Sequence, residues 1–275
     1  MSNPSSKGKN QKHSKHRKVA NTDRSNSNSS RNDLIFGLHA IQAALEMPVT
    51  RVTEVWLSEE RHDDRIAAIV EAAKPHDISI RKVDSDQLDE MAPDARHQGG
   101  VARCTPLRDL DETDLDKILD DLKGAPFLLI LDGVQDPHNL GACMRSAEAA
   151  GAHAVIAPKD RASSLTSTAL KVSSGAAERL PFIQVTNLAR VLRDLQQRGI
   201  WVVGTSGESD VTLYQADLKG PLAIVLGAEG RGIRRLTREY CDHVMYIPMQ
   251  GGAESLNVSV AAGVCLFEAF RQRNL

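Results

Sequence analysis

FLLILDGVQDPHNLGACMRSAEAAG, from Phe127 to Gly151, reads as an apolar strand that runs through a short polar turn into a helix. An unbroken apolar run such as Phe127 to Leu131 is what a strand buried on both faces requires, and such strands belong to parallel sheets covered by helices. Two later stretches repeat the design: LGAEGRGIRRL (Leu226 to Leu236) and IPMQGGAESLNVSVAAGV (Ile247 to Val264). In each, an apolar strand ends in a turn of Gly, Asn or Glu and passes into a helix. The fold class is therefore α/β, and ligands are expected at the carboxyl ends of the strands.

Working outward, the same alternation covers residues 125–275. Strands are expected at Phe127 to Val134, Ala154 to Ala157, Phe182 to Val185, Trp201 to Gly204, Leu222 to Gly227 and Val244 to Pro248. Helices fall between and after them, at Asn139 to Ala150, Leu165 to Ser174, Leu188 to Arg198, Ile233 to Tyr240 and Leu256 to Arg271. Upstream, residues 33–104 form a smaller α/β unit, with helices at Leu38 to Glu46 and Asp64 to Ala73 and near Leu88. Its strands are expected at Val52 to Leu57, Ser79 to Val83 and Gly100 to Arg103, with a turn at His97-Gln98-Gly99 before the last. Residues 105–124 join the two units as an acidic linker and an amphipathic helix carrying Leu115, Ile118, Leu119 and Leu122.

Charge divides the chain further. Residues 1–33 hold eight Lys or Arg against Asp23 and Asp33, a net of +6, whereas the other 242 residues carry −8 within a total of −2. A Ser/Asn/Lys-rich segment this poor in apolar residues cannot repay the entropy of ordering, so residues 1–32 are expected to be a disordered basic arm, either a solubilising tail or a tether to nucleic acid. His13 and His16 within it read as solvated. The apolar runs are too short or too interrupted to cross a bilayer, and no apolar segment follows the N-terminal charges, so a cytoplasmic protein without a membrane span is expected. Cys104, Cys143, Cys241 and Cys265 are widely spaced, which points to core thiols rather than disulfides or a metal site.

The three turns hold the candidate chemistry. Asn139 has the side chain of an N-cap, and Arg145, six residues on, is read as lying near the start of its helix, where the dipole disfavours a cation. That conflict points to a task, with an ion pair on a solvated face as the plain alternative. Gly227-Ala228-Glu229-Gly230-Arg231-Gly232 sets a carboxylate among bare amides, although glycines in a turn also serve the turn itself. A valine at Gly227 is expected to fill ligand space while leaving the protein folded. Further on, Ser255 reads as the cap of the last helix, with Asn257 and Ser259 in its first turn, where unpaired N–H groups favour a negatively polarised ligand atom. A nicotinamide-binding turn is not supported, because the first strand is not followed by G-x-G-x-x-G.

Asn139-Leu140-Gly141-Ala142-x-x-Arg145, Gly227-x-Glu229-Gly230-x-Gly232, and Ile247-Pro248-Met249 through Ser255-Leu256-Asn257-Val258-Ser259-Val260-Ala261 resemble, in order and spacing, the three motifs of the SpoU (TrmH-like) RNA ribose methyltransferases. The likeness runs from Phe36 to Arg273 and includes Gly37-Leu38-His39-Ala40. The basic arm lies outside it, and Ala253-Glu254 in the third motif departs from it. The resemblance implies a catalytic domain tied into a deep trefoil knot, S-adenosylmethionine as methyl donor, and a homodimer joined through the knotted domains. It also implies a small N-terminal domain that binds RNA. Carried over position by position, Gly204, Thr205, Gly227, Ile247, Met249 and Leu256 would hold the cofactor. Asn139, Arg145, Glu229, Asn257 and Ser259 would form the catalytic group, with no metal.

Two-domain members of this kind imply a guanosine ribose of large-subunit (23S) ribosomal RNA as substrate. The work required is to align a sulfonium methyl with a ribose 2′-hydroxyl and help remove its proton. Arg145 stands at the position proposed as the base, but a guanidinium with a pKa above about 12 is a poor one. Arg145 is read instead as stabilising the forming alkoxide, with a neighbouring phosphate taking the proton. Two alternatives stay open: a ribose methyltransferase of transfer RNA, and a non-catalytic RNA-binding or assembly factor.

Overall fold

A computed structural model describes residues 34–93 and 96–275; the basic arm, residues 1–32, lies outside the described residues. Six strands build the larger sheet, all parallel, in the order β10-β8-β9-β5-β6-β7. At its centre β5 (Phe127–Asp132) pairs with β9 (Leu222–Gly227) and β6 (Ala154–Pro158); β7 (Phe182–Val185) and β10 (His243–Met245) form the edges, the latter beside β8 (Trp201–Thr205).

The central strands divide their side chains between two cores. Phe127, Leu129 and Leu131 face one, while Leu128 and Ile130 face the other, as the two-residue period of a strand requires. The first core is closed by helices α5 (Pro137–Ala149) and α10 (Val258–Arg273), the second by α4 (Glu112–Asp121) and α8 (Leu188–Gln197). Covering both faces is what makes an unbroken apolar strand stable. Cys143 and Cys265 lie buried in the first core, and burial pushes both thiols up to about 12, while Cys104 is buried in the core of the smaller domain.

The smaller sheet has the order β1-β4-β2-β3. Here β1 (Leu34–Phe36) and β4 (Gly100–Cys104) run antiparallel, as do β4 and β2 (Val52–Ser58), while β2 and β3 (Ser79–Val83) run parallel. Helix α1 (Leu38–Leu45) turns Leu38, Ile41 and Leu45 into this core. Helices α2 (Asp64–Ala73) and α3 (Ser85–Met91) start at Asp63 and Asp84, whose carboxylates accept hydrogen bonds from first-turn amides.

The two sheets are held together by a close approach of their helices. Gly175, at φ 89°, lets the chain turn between α6 (Ser167–Ser173) and α7 (Ala176–Arg179) so tightly that a Cβ there would lie 2.6 Å from the Ala43 Cβ of α1. Beside it Arg51 grips Glu178 with two hydrogen bonds of 2.7 and 2.8 Å, both side chains being nearly buried.

Several sequence boundaries move. The expected helix at Ile233 to Tyr240 is only α9 (Arg235–Glu239), the one at Leu165 to Ser174 shrinks to α6, and the one at Leu256 to Arg271 slides to Val258–Arg273. The strand expected to reach Pro248 stops at Met245.

Candidate active site

Three strand ends carry the site. Asp132, at the tip of β5, is buried and accepts the Arg234 backbone N–H at 2.9 Å and its guanidinium Nε at 2.5 Å. This ion pair ties the loop that follows β9 to the neighbouring strand. Within that loop Gly232 comes back against Gly227, so closely that a Cβ on Gly227 would overlap the Gly232 carbonyl carbon and the Ile233 nitrogen. The glycine is therefore demanded by the loop's own backbone. A valine at Gly227 would displace the loop before it met a ligand, so the expectation of an intact fold is corrected.

Helix α5 begins two residues earlier than Asn139. Asp136 is its N-cap, accepting from the His138 N–H at 3.0 Å, with Pro137 in the first turn, so Asn139 is not the cap. The Asp-Pro pair was the available sequence signal. Freed from capping, the Asn139 amide donates to Glu229 Oε1 at 3.2 Å and accepts from Asn257 Nδ2 at 3.0 Å. Nor does Ser255 cap the last helix. Asn257 does so, its Oδ1 accepting from the Ser259 amide at 2.9 Å and the Ser259 hydroxyl at 2.6 Å, while its Nδ2 donates to Glu229 Oε1 at 2.7 Å. Asn139, Glu229, Asn257 and Ser259 thus form one connected group, joined by hydrogen bonds that span as many as 118 positions. A carboxylate accepts only, so both amides must turn N–H toward Glu229, which leaves their orientations fixed.

Beside this group lies a cavity of about 320 Å³, within the size range of small-molecule sites. Thr205, Gly227, Glu229, Ile247, Met249 and Leu256 line it, and Glu254 stands in its wall. Five of the six expected cofactor residues therefore meet at one place. Gly204 does not reach the cavity: it is packed under Ile233 and Cys241, where a Cβ would lie 2.8 Å from the Cys241 sulfur. Sequence reading missed Ser206 and Tyr246 of the lining, which lie outside the three motifs, and did not assign Ala261, the end of the third motif, to the cofactor.

Arg145 stands apart. It is the ninth of the thirteen residues of α5, so the dipole conflict expected from a position near the helix start does not exist. Six residues separate it from Asn139, which places it roughly 120° round the helix and about 9 Å along it. Its exposed guanidinium reaches the Ser174 hydroxyl at 3.5 Å and opens into a second cavity, of about 410 Å³, between α5 and α1.

Comparison with known proteins places the chain in a family. The sequence profile of the SpoU rRNA Methylase family matches residues 126–267, and the profile described as RNA 2′-O ribose methyltransferase substrate binding matches residues 34–110. The chain is 55% identical over 243 residues to the 23S rRNA (guanosine-2′-O-)-methyltransferase RlmB of Shewanella oneidensis, covering 88% of this chain and 98% of that one. Against the protein of the same name from Escherichia coli K12 it is 54% identical over 242 residues, covering 88% and 99%. Among solved structures, a crystal structure of an RNA 2′-O ribose methyltransferase superposes with a TM-score of 0.75 at 29% identity, covering 92% of this chain and 93% of the other. The SpoU methyltransferase AviRb from Streptomyces viridochromogenes, in complex with the cofactor AdoMet, gives a TM-score of 0.71 at 26% identity, covering 87% and 89%. With the family's profile on the larger sheet and relatives more than half identical along nearly their whole length, the chain belongs to the SpoU rRNA Methylase family.

Proposed function

We propose that this protein transfers the methyl group of S-adenosylmethionine to the ribose 2′-hydroxyl of a guanosine in 23S ribosomal RNA. The observation that carries the reading is the connected Asn139–Glu229–Asn257–Ser259 group at the mouth of a cavity sized for the cofactor. Apolar Ile247, Met249 and Leu256 suit an adenine, and the strand ends at Thr205 and Gly227 bring backbone to the cavity wall. When bound, the cofactor supplies a sulfonium methyl that is already electrophilic. The chain's work is placement: Glu229 and the two asparagines hold one geometry for the cofactor and the nucleotide, so little reorganisation is left for the reaction itself. Arg145 stabilises the charge growing on the 2′-oxygen as its proton departs to a neighbouring phosphate.

For Arg145 to do this it must meet a cavity from which its own helix turns it away. The reading therefore includes a homodimer in which Arg145 of one copy faces the Glu229 group of the other. Helix α10 supports this, since Val260, Phe267 and Phe270 remain exposed on it, and Gly263, in the same helix, packs beside Ser146, the neighbour of Arg145. The segment from Ile247 to Asn257, which returns from edge strand β10 to the tips of β9 and β5, is read as threaded into a trefoil knot. Residues 33–104 serve as an RNA-binding domain, 105–124 as the linker and its helix, and 125–275 as the knotted catalytic domain, with residues 1–32 as a basic arm. No helix among the described residues is long and apolar enough to cross a membrane; with ribosomal RNA as substrate, the enzyme is read as cytoplasmic.

The test is to incubate the purified protein with methyl-labelled S-adenosylmethionine and either 23S ribosomal RNA or transfer RNA, then map the label. A ribose methyl on one guanosine of 23S RNA is expected. Label confined to transfer RNA would favour the other ribose methyltransferase reading, and no label on any RNA would favour a binding factor.

A further inference from the structure

Helix α1 shows two characters. Its Leu38, Ile41 and Leu45 belong to the small sheet's core, while His39, Gln42 and Glu46, spaced i, i+3 and i+7, share another face and look into the 410 Å³ cavity that Arg145 enters from the opposite wall. A polar-walled space of this volume separates the two domains, although they touch tightly nearby at Gly175 and through Arg51–Glu178. The cavity's charges are unequally committed. Arg179 is paired with Glu148 at 2.8 Å, whereas Arg145, among the described residues, is paired with no carboxylate.

The chemistry on the α1 side is specific. Gln42 donates its Nε2 to Glu46 Oε1 at 2.7 Å. Because a carboxylate only accepts, this bond spends a donor of the amide and leaves the Gln42 carbonyl oxygen and the second Glu46 oxygen outside it as acceptors. The face is thereby rich in acceptors, with the His39 ring next to it as a stacking surface. A guanine's pairing edge carries adjacent donors, N1–H and the 2-amino group, whereas adenine sets an acceptor beside its amino group. Unpaired bases of RNA are commonly read in this way, by stacking on an aromatic or imidazole ring and by hydrogen bonds to the pairing edge.

We infer that the cavity between α1 and α5 seats the target guanosine, with Gln42 and Glu46 accepting from its N1–H and 2-amino groups, His39 stacking on its base, and Arg145 of the same chain holding its ribose. This rests on the ribose methyltransferase reading and adds to it the residues that choose the base. Guanosine selection then comes from the small domain, and methyl transfer from the parallel-sheet domain. Neither set is complete without the docking of α1 against Gly175.

The test uses RNA fragments spanning the guanosine that the wild-type protein methylates, made with guanosine or with inosine, which lacks the 2-amino group, at that site. Single-turnover methylation at saturating S-adenosylmethionine should favour guanosine by about tenfold or more in the wild type, the range for a hydrogen bond to a charged group. Glu46→Ala should slow guanosine by a similar factor and leave inosine nearly unchanged, so that the two rates fall within about twofold of each other, with melting temperature and cofactor affinity held. Gln42→Ala removes the acceptor for the N1–H that both bases carry, so it should slow both fragments alike and leave the ratio near the wild type's. Equal wild-type rates on the two fragments, or a Glu46→Ala ratio as wide as the wild type's, would overturn the assignment. A wild type that methylates neither fragment would instead overturn the methyltransferase reading and the inference with it.

Discussion

The Glu229 group and the Arg145 cleft belong to the same three motifs, yet they are built in opposite ways. Around Glu229 each polar side chain is bonded to another, through hydrogen bonds of 2.6 to 3.2 Å that join the loop after β9 to α5 and the start of α10. Arg145 has one long hydrogen bond to a serine and is otherwise open to solvent. One region is finished within a single chain; the other presents a charge that only a substrate or a second copy can engage. Pre-organised groups of the first kind pin geometry, while an uncommitted guanidinium of the second kind is ready for an oxyanion or phosphate.

Breaking the finished region should have the largest consequences. Gly227→Val drives a side chain into the Gly232 and Ile233 backbone, so the loop bearing Glu229 must move. We expect loss of S-adenosylmethionine binding by calorimetry together with a stability loss of about 1 to 3 kcal/mol in chemical denaturation, as overpacking costs elsewhere. An unchanged denaturation midpoint with lost binding would restore the ligand clash as the cause. For Arg145→Lys the effect is confined to rate. The lysine keeps the charge but loses the planar fork, and single-turnover methylation should fall by a factor on the order of a hundred, with cofactor affinity and melting temperature unmoved. A rate within about threefold of wild type would reduce Arg145 to an exposed ion-pair partner, worth ~0 to 1 kcal/mol.

Deleting residues 1–32 should be milder still. Methylation at saturating RNA is expected to persist, while the log–log salt dependence of RNA binding flattens by up to ~0.7 for each phosphate that the shortened chain no longer neutralises. An unchanged slope would leave the segment as a solubilising tail.

How much of this was legible in the sequence follows from the same contrast. The central strands were readable because burial on both faces forces continuous apolar runs, as at Phe127–Asp132 and Leu222–Gly227. The shortest pieces were not: β1 (Leu34–Phe36) has three residues and α7 (Ala176–Arg179) four, too few to show a period. At the start of α5, Asp136 and Asn139 are both good capping residues by type, and only the fold shows that Asp136 takes the cap and leaves Asn139 to Glu229. The convergence of Asn139, Glu229 and Asn257 needs hydrogen bonds across 90 and 118 residues, which no local pattern contains; the motif resemblance supplied it. The resemblance could not show that Arg145 looks away from its partners.

That divergence is the core of the account, and complementation tests it directly. Arg145→Ala and Glu229→Gln should each abolish methylation as homodimers. Co-expressed and allowed to assemble at random, they should recover about a quarter of wild-type activity, because half of the dimers then hold one site with an intact Arg145 from one copy and an intact Glu229 from the other. If Arg145 and Glu229 of the same chain worked together, no mixed dimer would contain a complete site, and a mixture as inactive as its parents would contradict the two-copy active site.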